Sequence, residues 1–288
     1  MEAAAIEPAA ESARRARRRR GGGRPGERGR WVLPTYVVLV FLYTLVPIVV
    51  MIAYAFNQAP NGRLTFAWNG FTLDAYRHLF AIPDLTSALV TSLEVAALST
   101  AIAIALGTPA ALAMTRHRFH GRGIADAVVL ADIAAPSVVV GASLLGLYVT
   151  FGVARGFATI LVAHVAFNVA FVIVVLRARL TGLDRSIEEA ARDLYATPWM
   201  AFWKVTVPLI MPGILSAALL AFALSIDDYI ITSFVAGQTL TFPLWVYGAV
   251  KVGIPPQVFA MGTLIFVAGA ITAAAGVIAQ RARSLPGN

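Results

Sequence analysis

The sequence predicts an all-α integral membrane protein with six transmembrane helices, and three observations lead to that fold class. Apolar residues make up 59% of the 288 residues and charged residues only 13%, whereas an ordinary soluble domain has about 25% charged residues. The mean hydropathy is +0.76. Six stretches also reach the roughly 20 apolar residues that a helix needs to cross a bilayer. Cysteine is absent, which excludes disulfides and thiolate chemistry.

The six apolar stretches define one membrane domain over residues 29–288. A helix is the expected form for each stretch, because the bilayer core offers no water to bond an open backbone. Proline within several of them is compatible with this expectation, since membrane helices tolerate proline better than soluble helices do. The predicted spans cover residues 31–56, 87–114, 124–150, 157–176, 205–226 and 257–280.

Residues 1–28, rich in Ala, Arg and Gly, are predicted to form a disordered basic tail. The run from Arg14 to Arg20 would resemble a nucleic-acid-binding segment if it stood alone. Its place just before the first apolar stretch favours an anchor to anionic membrane lipid, so no nucleic-acid partner is expected. The tail does not have the pattern of a signal peptide, because its basic region is too long and no small-residue cleavage site follows a short apolar core.

Lys and Arg are distributed unequally among the connections between the spans. With the N-terminus placed in the cytoplasm, 19 of the 23 basic residues fall on the cytoplasmic side. Cytoplasmic loops of membrane proteins carry such an excess. The sequence therefore predicts a multi-pass protein of the plasma or inner membrane with both termini in the cytoplasm. No soluble domain of any size is recognisable on either side, so energy conversion and substrate capture are expected from other chains.

The connection over residues 177–208 is the most informative part of the sequence. Ser186 and Glu189 have the spacing of a capping box, with serine as the N-cap and glutamate at the third helical position. An apolar stripe then recurs at helical spacing, and it consists of Ile187, Ala190, Ala191 and Leu194. These features predict a short amphipathic helix, which is typical of an element that docks into a partner groove.

A second short helix is predicted in the same connection, lying under the membrane. Thr197 and Pro198 have the pattern of a cap followed by proline at the first helical position. Pro208 is expected to end this helix, because the residue before a proline is disfavoured in the helical conformation. The fifth span would then begin as a separate element.

Residues 189–191 read Glu-Ala-Ala, residues 205–210 read VTVPLI, and Pro212-Gly213 follows. This order resembles the EAA loop of binding-protein-dependent ABC importer permeases of the type I, MetI-like family. The sequence departs from the family pattern at Tyr195, where the pattern has glycine, and a tyrosine is expected to weaken the sharp turn there. The resemblance covers about residues 87–280 and implies the type I ABC importer permease fold.

The resemblance also implies a coupling mechanism. In this family the EAA helix sits in a cleft of a cytoplasmic ATPase, and closure of an ATPase dimer swings the spans from inward-open to outward-open. The residues that would make this contact are Ile187, Glu189, Ala190, Ala191 and Leu194. ATP and Mg would be bound by the partner ATPase, so no cofactor is expected in this chain. The alternative is that Glu189 only caps its own helix.

Ionisable side chains in the spans are further candidates for function, because each costs about 2.5–3.5 kcal/mol on insertion scales. Glu94 falls in the second span, and Asp132 falls in the inner part of the third. Asp227 and Asp228 lie at the outer end of the fifth span. Adjacent aspartates on a helix point in different directions, so one could line a cavity while the other caps or meets water. His164 is expected to form a hydrogen bond between helices, with a proton relay as the alternative.

The outer end of the fifth span resembles the spermidine/putrescine branch of the same family. The similarity lies in residues 225–232 (SIDDYIIT), in Phe234 and Gly237, and in residues 243–247 (PLWVY). Polyamines carry several positive charges, and carboxylates with few opposing basic residues suit such a cargo. The candidate substrate-pathway residues are Glu94, Asp132, Asp227, Asp228 and Tyr229. The partners implied are an ABC ATPase dimer, a second, non-identical permease subunit and an extracytoplasmic solute-binding protein.

Other classes of protein fit the sequence less well. The chain has no GxxxxGK[ST] phosphate loop, so it is not expected to be the ATPase itself. A proton-coupled secondary transporter stays open on the strength of the membrane acids and His164, although the two-halves repeat of many such carriers is not recognisable. A membrane enzyme would need a convergent set at one depth, and no catalytic or metal-ligating set is predicted. An ABC permease for another small solute is the main alternative to polyamine transport.

Overall fold

The computed structural model describes residues 27–65, 67–184 and 186–284. These residues form helices, with one isolated bridge between Asn57 and Phe71. The predicted disordered tail lies outside the described residues, apart from positions 27 and 28, which begin the first helix. The helices are α1 Glu27–Ala55, α2 Asp74–Arg77, α3 Pro83–Arg116, α4 Arg122–Ala134, α5 Ser137–Thr150, α6 Phe157–Thr181, α7 Ser186–Asp193, α8 Pro198–Ala201, α9 Val207–Ile226, α10 Ile230–Val235, α11 Phe242–Val252 and α12 Pro256–Ser284.

The chain divides into two compact units, Met1–Ala53 and Tyr54–Asn288. In the first unit the described residues belong to α1, an apolar helix that contains Pro34 and Pro47. Both prolines are compatible with a helix in lipid, where local adjustments bond the backbone groups that proline leaves free. The second unit contains the remaining helices.

The predicted spans are present as long apolar helices. Among the described residues, five helices are long and apolar enough to cross a membrane, and a bent pair of helices supplies a sixth span. The five are Trp31–Ala55, Pro83–Arg116, Phe157–Thr181, Pro198–Ile226 and Pro256–Gly276. The all-α membrane fold is thereby confirmed, with five spans and a sixth where the bent pair is counted as one span.

The third span is broken, so the prediction of one continuous helix over residues 124–150 is wrong. Helices α4 and α5 meet at 106° around Ala135 and Pro136. Pro136 has no N–H to continue the ladder, and its ring disfavours the helical conformation for the residue before it. Ala135 is accordingly extended, with φ −69° and ψ 132°. Each half is about 20 Å long at 1.5 Å per residue, which is too short to cross the roughly 30 Å hydrocarbon core alone.

The core of the second unit is formed where α3, α6 and α9 pack together. Small and β-branched residues dominate it: Ala103 and Ala111 from α3, Val172, Ile173 and Leu176 from α6, and Ile210, Ala217 and Ala221 from α9. Small side chains let membrane helices approach closely, so that van der Waals contact replaces the missing hydrophobic driving force. This bundle fixes the position of the 182–206 connection relative to the polar residues at the other end of α9.

Gly107 marks the closest approach of α3 to α6. A Cβ atom at this position would lie 2.6 Å from Cγ1 of Val172 and 3.4 Å from the backbone oxygen of Val169. Such a distance is far inside van der Waals contact, and the neighbours are a β-branched side chain and a backbone atom. Glycine is therefore required here by the packing of the two helices.

Two short helices, α10 and α11, fold back along the end of the bundle where α9 ends. Phe234 of α10 lies against Gly141 of α5, and the amide N–H of Phe242 at the start of α11 donates to Oγ of Ser92 on α3. The turn between them contains Gly237, whose φ of 59° is in the left-handed region. A Cβ there would also lie 2.6 Å from the carbonyl oxygen of Arg155, so glycine is needed for both reasons.

We predict that Gly107→Ala destabilises the protein by about 1–3 kcal/mol, as other overpacking substitutions do. The matched control is Gly146→Ala in α5, where no atom lies within 4 Å of the new Cβ. That control should be neutral or slightly stabilising, because alanine favours helix over glycine by about 1 kcal/mol. The measurement is the thermal midpoint of the detergent-solubilised protein, and equal midpoints for the two variants would contradict the packing argument.

Candidate functional site

The connecting segment, residues 182–206, joins α6 to α9 and contains α7 and α8. Its first helix begins at Ser186, whose backbone N–H donates to Oδ1 of Asp184 at 2.9 Å. Hydrogen bonds from the amide and the hydroxyl of Ser186 hold the pKa of Asp184 below its usual value. The predicted capping box differs from this arrangement, because Ser186 is already helical and its amide is bonded by Asp184 and not by Glu189.

Glu188 fastens α7 to the rest of the protein. Its carboxylate receives two bonds from the guanidinium of Arg116 at the end of α3, at 2.5 and 2.9 Å. It also accepts a bond from Oγ1 of Thr206. Paired bonds between arginine and a carboxylate are among the strongest polar contacts, and they fix orientation as well as distance. Glu188 was not among the predicted site residues, and the sequence offered only one hint, an arginine at the end of the second span.

Four of the five predicted coupling residues are exposed. Ile187 is 45% exposed, and Leu194, just after the end of α7, is 81% exposed. Glu189 and Ala190 are also exposed, and Ala191 is half-buried. A polar cavity of about 230 Å³ borders this helix, lined by Arg116, His117, Glu188, Glu189 and Arg192.

Tyr195 makes the turn that ends α7, although the family pattern has glycine at this position. Its φ is +63°, and it has the one positive φ among the described non-glycine residues. The amide of Ala196 donates to the carbonyl of Ala191 at 3.1 Å, and the amide of Tyr195 donates to that of Arg192 at 2.9 Å. This pair of bonds is the Schellman motif. The expected weakening of the turn therefore takes the form of backbone strain, while the shape of the turn is kept.

The second helix of the connecting segment runs into the fifth span. Thr197 caps α8 by accepting a bond from the amide of Met200 at 3.2 Å, as the sequence predicts. The predicted end at Pro208 is wrong, because residues Phe202–Thr206 form a π-helical turn that continues directly into α9. A proline clashes with the carbonyl four residues earlier, and a π-bulge just before it widens the helix at that point.

A chain of buried polar side chains joins α3, α6, α9 and α10. The ring of His164 contacts two hydroxyls, with Nδ1 2.6 Å from Oγ of Ser225 and Nε2 2.9 Å from Oγ1 of Thr232. Ser225 in turn lies 3.1 Å from Oγ of Ser99, and Asn168 donates to the same Ser99 oxygen at 3.3 Å. The predicted interhelical hydrogen bond of His164 is present in the structure.

The two adjacent aspartates occupy different environments. Oδ2 of Asp228 accepts bonds from the amide and the hydroxyl of Thr232, at 2.8 and 2.7 Å, and it lies 3.5 Å from Nε2 of His164. Asp228 therefore caps α10 from inside the polar chain. Asp227 ends α9 and its side chain is exposed. Of the two neighbouring carboxylates, Asp227 is the one that faces outward.

The remaining predicted pathway residues are spread over the second unit. Glu94 is exposed on α3, and Asp132 is half-buried in α4, close to the break of the third span. One carboxylate oxygen of Asp132 is buried with no hydrogen-bond partner among the described residues. Tyr229 stacks on Tyr247 of α11, with ring centroids 4.5 Å apart. The structure thus brings Asp227, Asp228 and Tyr229 together and leaves Glu94 and Asp132 elsewhere.

The chain combines long apolar spans with a small helix that projects between two of them. It also carries ionisable side chains within the membrane domain. These features are those of a multi-span membrane protein of the transporter class. The profile of the family described as "Binding-protein-dependent transport system inner membrane component" matches residues 30–283. The chain belongs to this family, and its predicted membership of the MetI-like permeases is confirmed. As a member it is a multi-pass membrane protein.

Curated relatives support the same assignment. The chain is 40% identical over 249 residues to the "Putrescine transport system permease protein PotI" of Escherichia coli, a match that covers 84% of this chain and 87% of the relative. It is 33% identical over 254 residues to the "Spermidine/putrescine transport system permease protein PotC" of Escherichia coli, covering 88% and 95%. The Haemophilus influenzae PotC is 33% identical over 81% of this chain and 90% of its own. These relatives are transport permease proteins, in agreement with the predicted non-enzymatic transport role.

Solved structures share the fold at low sequence identity. A bacterial ABC transporter involved in the import of the acidic polysaccharide alginate matches with a TM-score of 0.62 at 18% identity, covering 90% of this chain and 98% of that one. An amino acid ABC transporter matches at 0.55 with 19% identity, covering 73% and 99%. The MetNI methionine ABC transporter matches at 0.55 with 19% identity, covering 70% and 96%. These likenesses show that the chain has the fold of ABC importer permeases.

We predict that His164→Leu destabilises the protein by about 1–3 kcal/mol, because it leaves buried hydroxyls and the Asp228 carboxylate without their partner. The matched control is His78→Leu, which removes a histidine that pairs with Asp74 at 2.9 Å on an exposed surface and should cost at most about 1 kcal/mol. The thermal midpoints of the two purified variants give the comparison. A midpoint of His164→Leu equal to that of His78→Leu would contradict a stabilising role for the buried chain.

We also predict that Tyr195→Gly tightens the turn after α7, since the left-handed conformation costs a non-glycine residue about 1–2 kcal/mol. Tyr195→Val should loosen it, because a β-branched residue is poorly suited to positive φ. Hydrogen–deuterium exchange of the peptide spanning residues 190–197 reports on the turn. Protection should decrease in the order glycine, tyrosine, valine, and an identical exchange rate in all three proteins would exclude strain at Tyr195.

Proposed function

We propose that this chain is the membrane permease subunit of an ATP-driven, binding-protein-dependent importer of polyamines. The observation that carries the proposal is the 40% identity over 249 residues to a protein named for putrescine transport. The polar and aromatic cluster at the outer end of α9 supports it. The chain would form half of a translocation pore, and a second, non-identical permease subunit would form the other half.

The proposed orientation has both termini in the cytoplasm. It is supported by the basic residues, of which 19 of 23 then lie on the cytoplasmic side. In this orientation the connecting segment projects into the cytoplasm together with Arg116. Asp227, Tyr229 and α11 lie at the outer end of the bundle, toward an extracytoplasmic solute-binding protein. The basic tail would meet anionic lipid of the inner leaflet.

The exposed face of α7 is the proposed contact with a cytoplasmic ATPase. Ile187 and Leu194 present apolar side chains on a short helix, which is the arrangement that fits a partner groove. The Glu188–Arg116 pair supports this role, because it holds the helix against the end of α3 while leaving the apolar face free. ATP and Mg would be bound by the ATPase dimer. The permease would contribute the docking surface and the pore.

A cationic substrate is supported by the charges along the proposed pathway. The carboxylate of Asp227 is exposed, and Glu94 has no basic partner among the described residues, so both could attract a polyamine. Two unit charges about 4 Å apart attract by about 4 kcal/mol at an effective dielectric constant of 20. Asp228 is assigned a structural part in this proposal, since its carboxylate is already bonded within the chain.

A second candidate function rests on the buried pair of His164 and Asp228. Titratable groups in contact within a membrane domain are typical of proton relays in secondary carriers. In a proton-coupled carrier this pair would carry the proton, and no ATPase would be needed. The substrate alternative within the proposed class is another small solute, selected by a different binding protein.

The proposed function is tested by uptake of radiolabelled putrescine and spermidine in cells that carry this gene with its neighbouring ATPase, permease and binding-protein genes. The comparison strain carries a substitution of the phosphate-loop lysine of the ATPase. Uptake that is lost with that lysine is the expected result. Uptake that persists would favour the proton-coupled carrier, and ATP-dependent complex formation without polyamine uptake would contradict the substrate assignment.

We predict that Glu189→Ala combined with Leu194→Ala lowers recovery of the ATPase with the purified membrane subunits by about tenfold or more, since centrally placed contact residues carry about 2 kcal/mol each. Insertion should be unchanged, because both side chains are exposed. Leu73→Ala serves as the control, as it removes a leucine that is 43% exposed outside the connecting segment. Full ATPase recovery and uptake in the double variant would refute docking through α7.

A further inference from the structure

Two tyrosines pack against each other at the end of the bundle where α9 ends. Tyr229 follows the aspartate pair and Tyr247 lies on α11, with ring centroids 4.5 Å apart and ring planes inclined by 34°. Tyr247 is 50% exposed and belongs to none of the buried clusters of the described residues. An aromatic pair held open in this way presents the electron-rich face of a ring to its surroundings.

A cation already occupies this face. Nζ of Lys251 lies over the ring of Tyr247, 5.4 Å from its centroid, which is within the range of a cation–π contact. Lys251 is exposed and has no ion pair within residues 27–65, 67–184 and 186–284. Its butylammonium side chain is therefore positioned by the tyrosine and by no carboxylate that the structure describes.

The geometry of α11 directs this contact away from the bundle. Trp245 packs inward against the buried cluster that contains Leu85. Ala249 also points inward and is buried. Tyr247 and Lys251 are one turn apart on the other face. The exposed carboxylate of Asp227 is two residues before Tyr229 in sequence, so an anionic group and an aromatic pair occur at the same end of the bundle.

We propose that the Tyr229–Tyr247 pair is a binding site for an alkylammonium group of the transported substrate, and that Lys251 is a tethered occupant that the substrate displaces. The proposal rests on the proposed function, because it takes the substrate to be a polyamine. Neither Tyr247 nor Lys251 was among the candidate substrate-pathway residues, although Tyr247 belongs to the 243–247 segment that resembles the polyamine branch. Lys251 would close the site when no substrate is present.

The chemistry of the two cations supports displacement. The end of a lysine side chain is a primary alkylammonium group, which is the same group that terminates a diamine. A ring face that holds the first therefore accepts the second. Both cannot occupy one face together, because like charges repel strongly at such separations. Binding of the substrate ammonium would expel Lys251, and release of the substrate would let it return.

The test is a set of single and double variants in the complete transporter, with the KM for putrescine uptake as the readout. Lys251→Met should lower KM by about 3- to 10-fold, because it removes the competing cation. Tyr247→Leu should raise KM by a similar factor, which corresponds to the strength of a cation–π contact. Tyr247→Phe keeps the aromatic face and should retain a KM within about twofold of the unmodified protein.

The double variant separates the proposal from general electrostatics. In the Tyr247→Leu background, Lys251→Met should change KM by less than about twofold, since the lysine no longer competes for a ring. Arg63→Gln is the charge control, because it removes an outer cation that contacts no ring, and it should leave KM unchanged. Membrane levels and ATPase recovery are measured for each variant. If Tyr247→Leu does not assemble, Tyr247→Met replaces it as the background without a ring, with the same expectation for the double variant.

Two outcomes would overturn the proposal while polyamine uptake continues. One is an equal decrease in KM from Lys251→Met with and without the tyrosine, which would assign the effect to charge alone. The other is an unchanged KM in both Lys251→Met and Tyr247→Leu. Loss of all polyamine uptake in the unmodified, ATP-hydrolysing transporter is a separate result, and it would overturn the proposed function and this site together.

Discussion

Within hydrocarbon, burial of an apolar side chain against another helix gains little over burial against lipid, so close packing and buried polar bonds must hold the helices together. This constraint explains the core between α3, α6 and α9. Alanines recur at the contacts, and Gly107 admits the side chain of Val172 to a position that any Cβ would fill. The polar chain through His164 and Ser225 adds bonds that have no competing water in the membrane interior. The projecting α7 is attached to this bundle through Arg116 and Thr206.

Two groups of polar contacts hold helices together at opposite ends of that bundle. Glu188 joins α7 to Arg116 and Thr206 at one end, and His164 joins α9 to α10 at the other. Each group of contacts includes a residue at or next to a terminus of α9. The bundle therefore connects a surface that suits a protein partner with a cluster of aromatic and acidic residues that suits a cationic solute. The sequence predicted an interhelical hydrogen bond for His164 but not its partners, and it did not predict the contacts of Glu188.

The parts of the fold that depend on hydrophobicity could be predicted from the sequence, and the parts that depend on backbone detail could not. The spans were recognisable because a bilayer requires long apolar helices. The break at Pro136 was not, because proline inside a membrane helix either kinks it slightly or ends it, according to what bonds the freed groups. Pro208 shows the opposite outcome, since a π-turn carried the helix past it. The left-handed conformation of Tyr195 was likewise not predictable from the residue itself, because the surrounding turn imposes it and tyrosine does not favour it.

The sequence predicted which types of residue form the candidate site better than it predicted where those residues lie. Ile187 and Leu194 are both exposed, as the predicted docking role requires, and that role stays a prediction. The distinction between Asp227 and Asp228 required coordinates, because it depends on Thr232 and His164 lying beside one carboxylate and not the other. Tyr247 and Lys251 are separated from Tyr229 by a turn whose path follows from Gly237. Contacts across such a turn have no signature in a single sequence.

The unbroken run from Pro198 to Ile226 makes one rod of 29 residues, about 43 Å long at 1.5 Å per residue. One end carries Thr206 beside α7, and the other carries Ser225 beside His164. One helical run therefore joins the element that carries the proposed docking residues to the buried polar chain. Hydrogen bonds of 2.6 to 3.1 Å at Ser225 do not survive a shift of about 1 Å. Under the proposed function, a movement of α7 that is carried along this helix would therefore make or break the hydrogen bonds of Ser225.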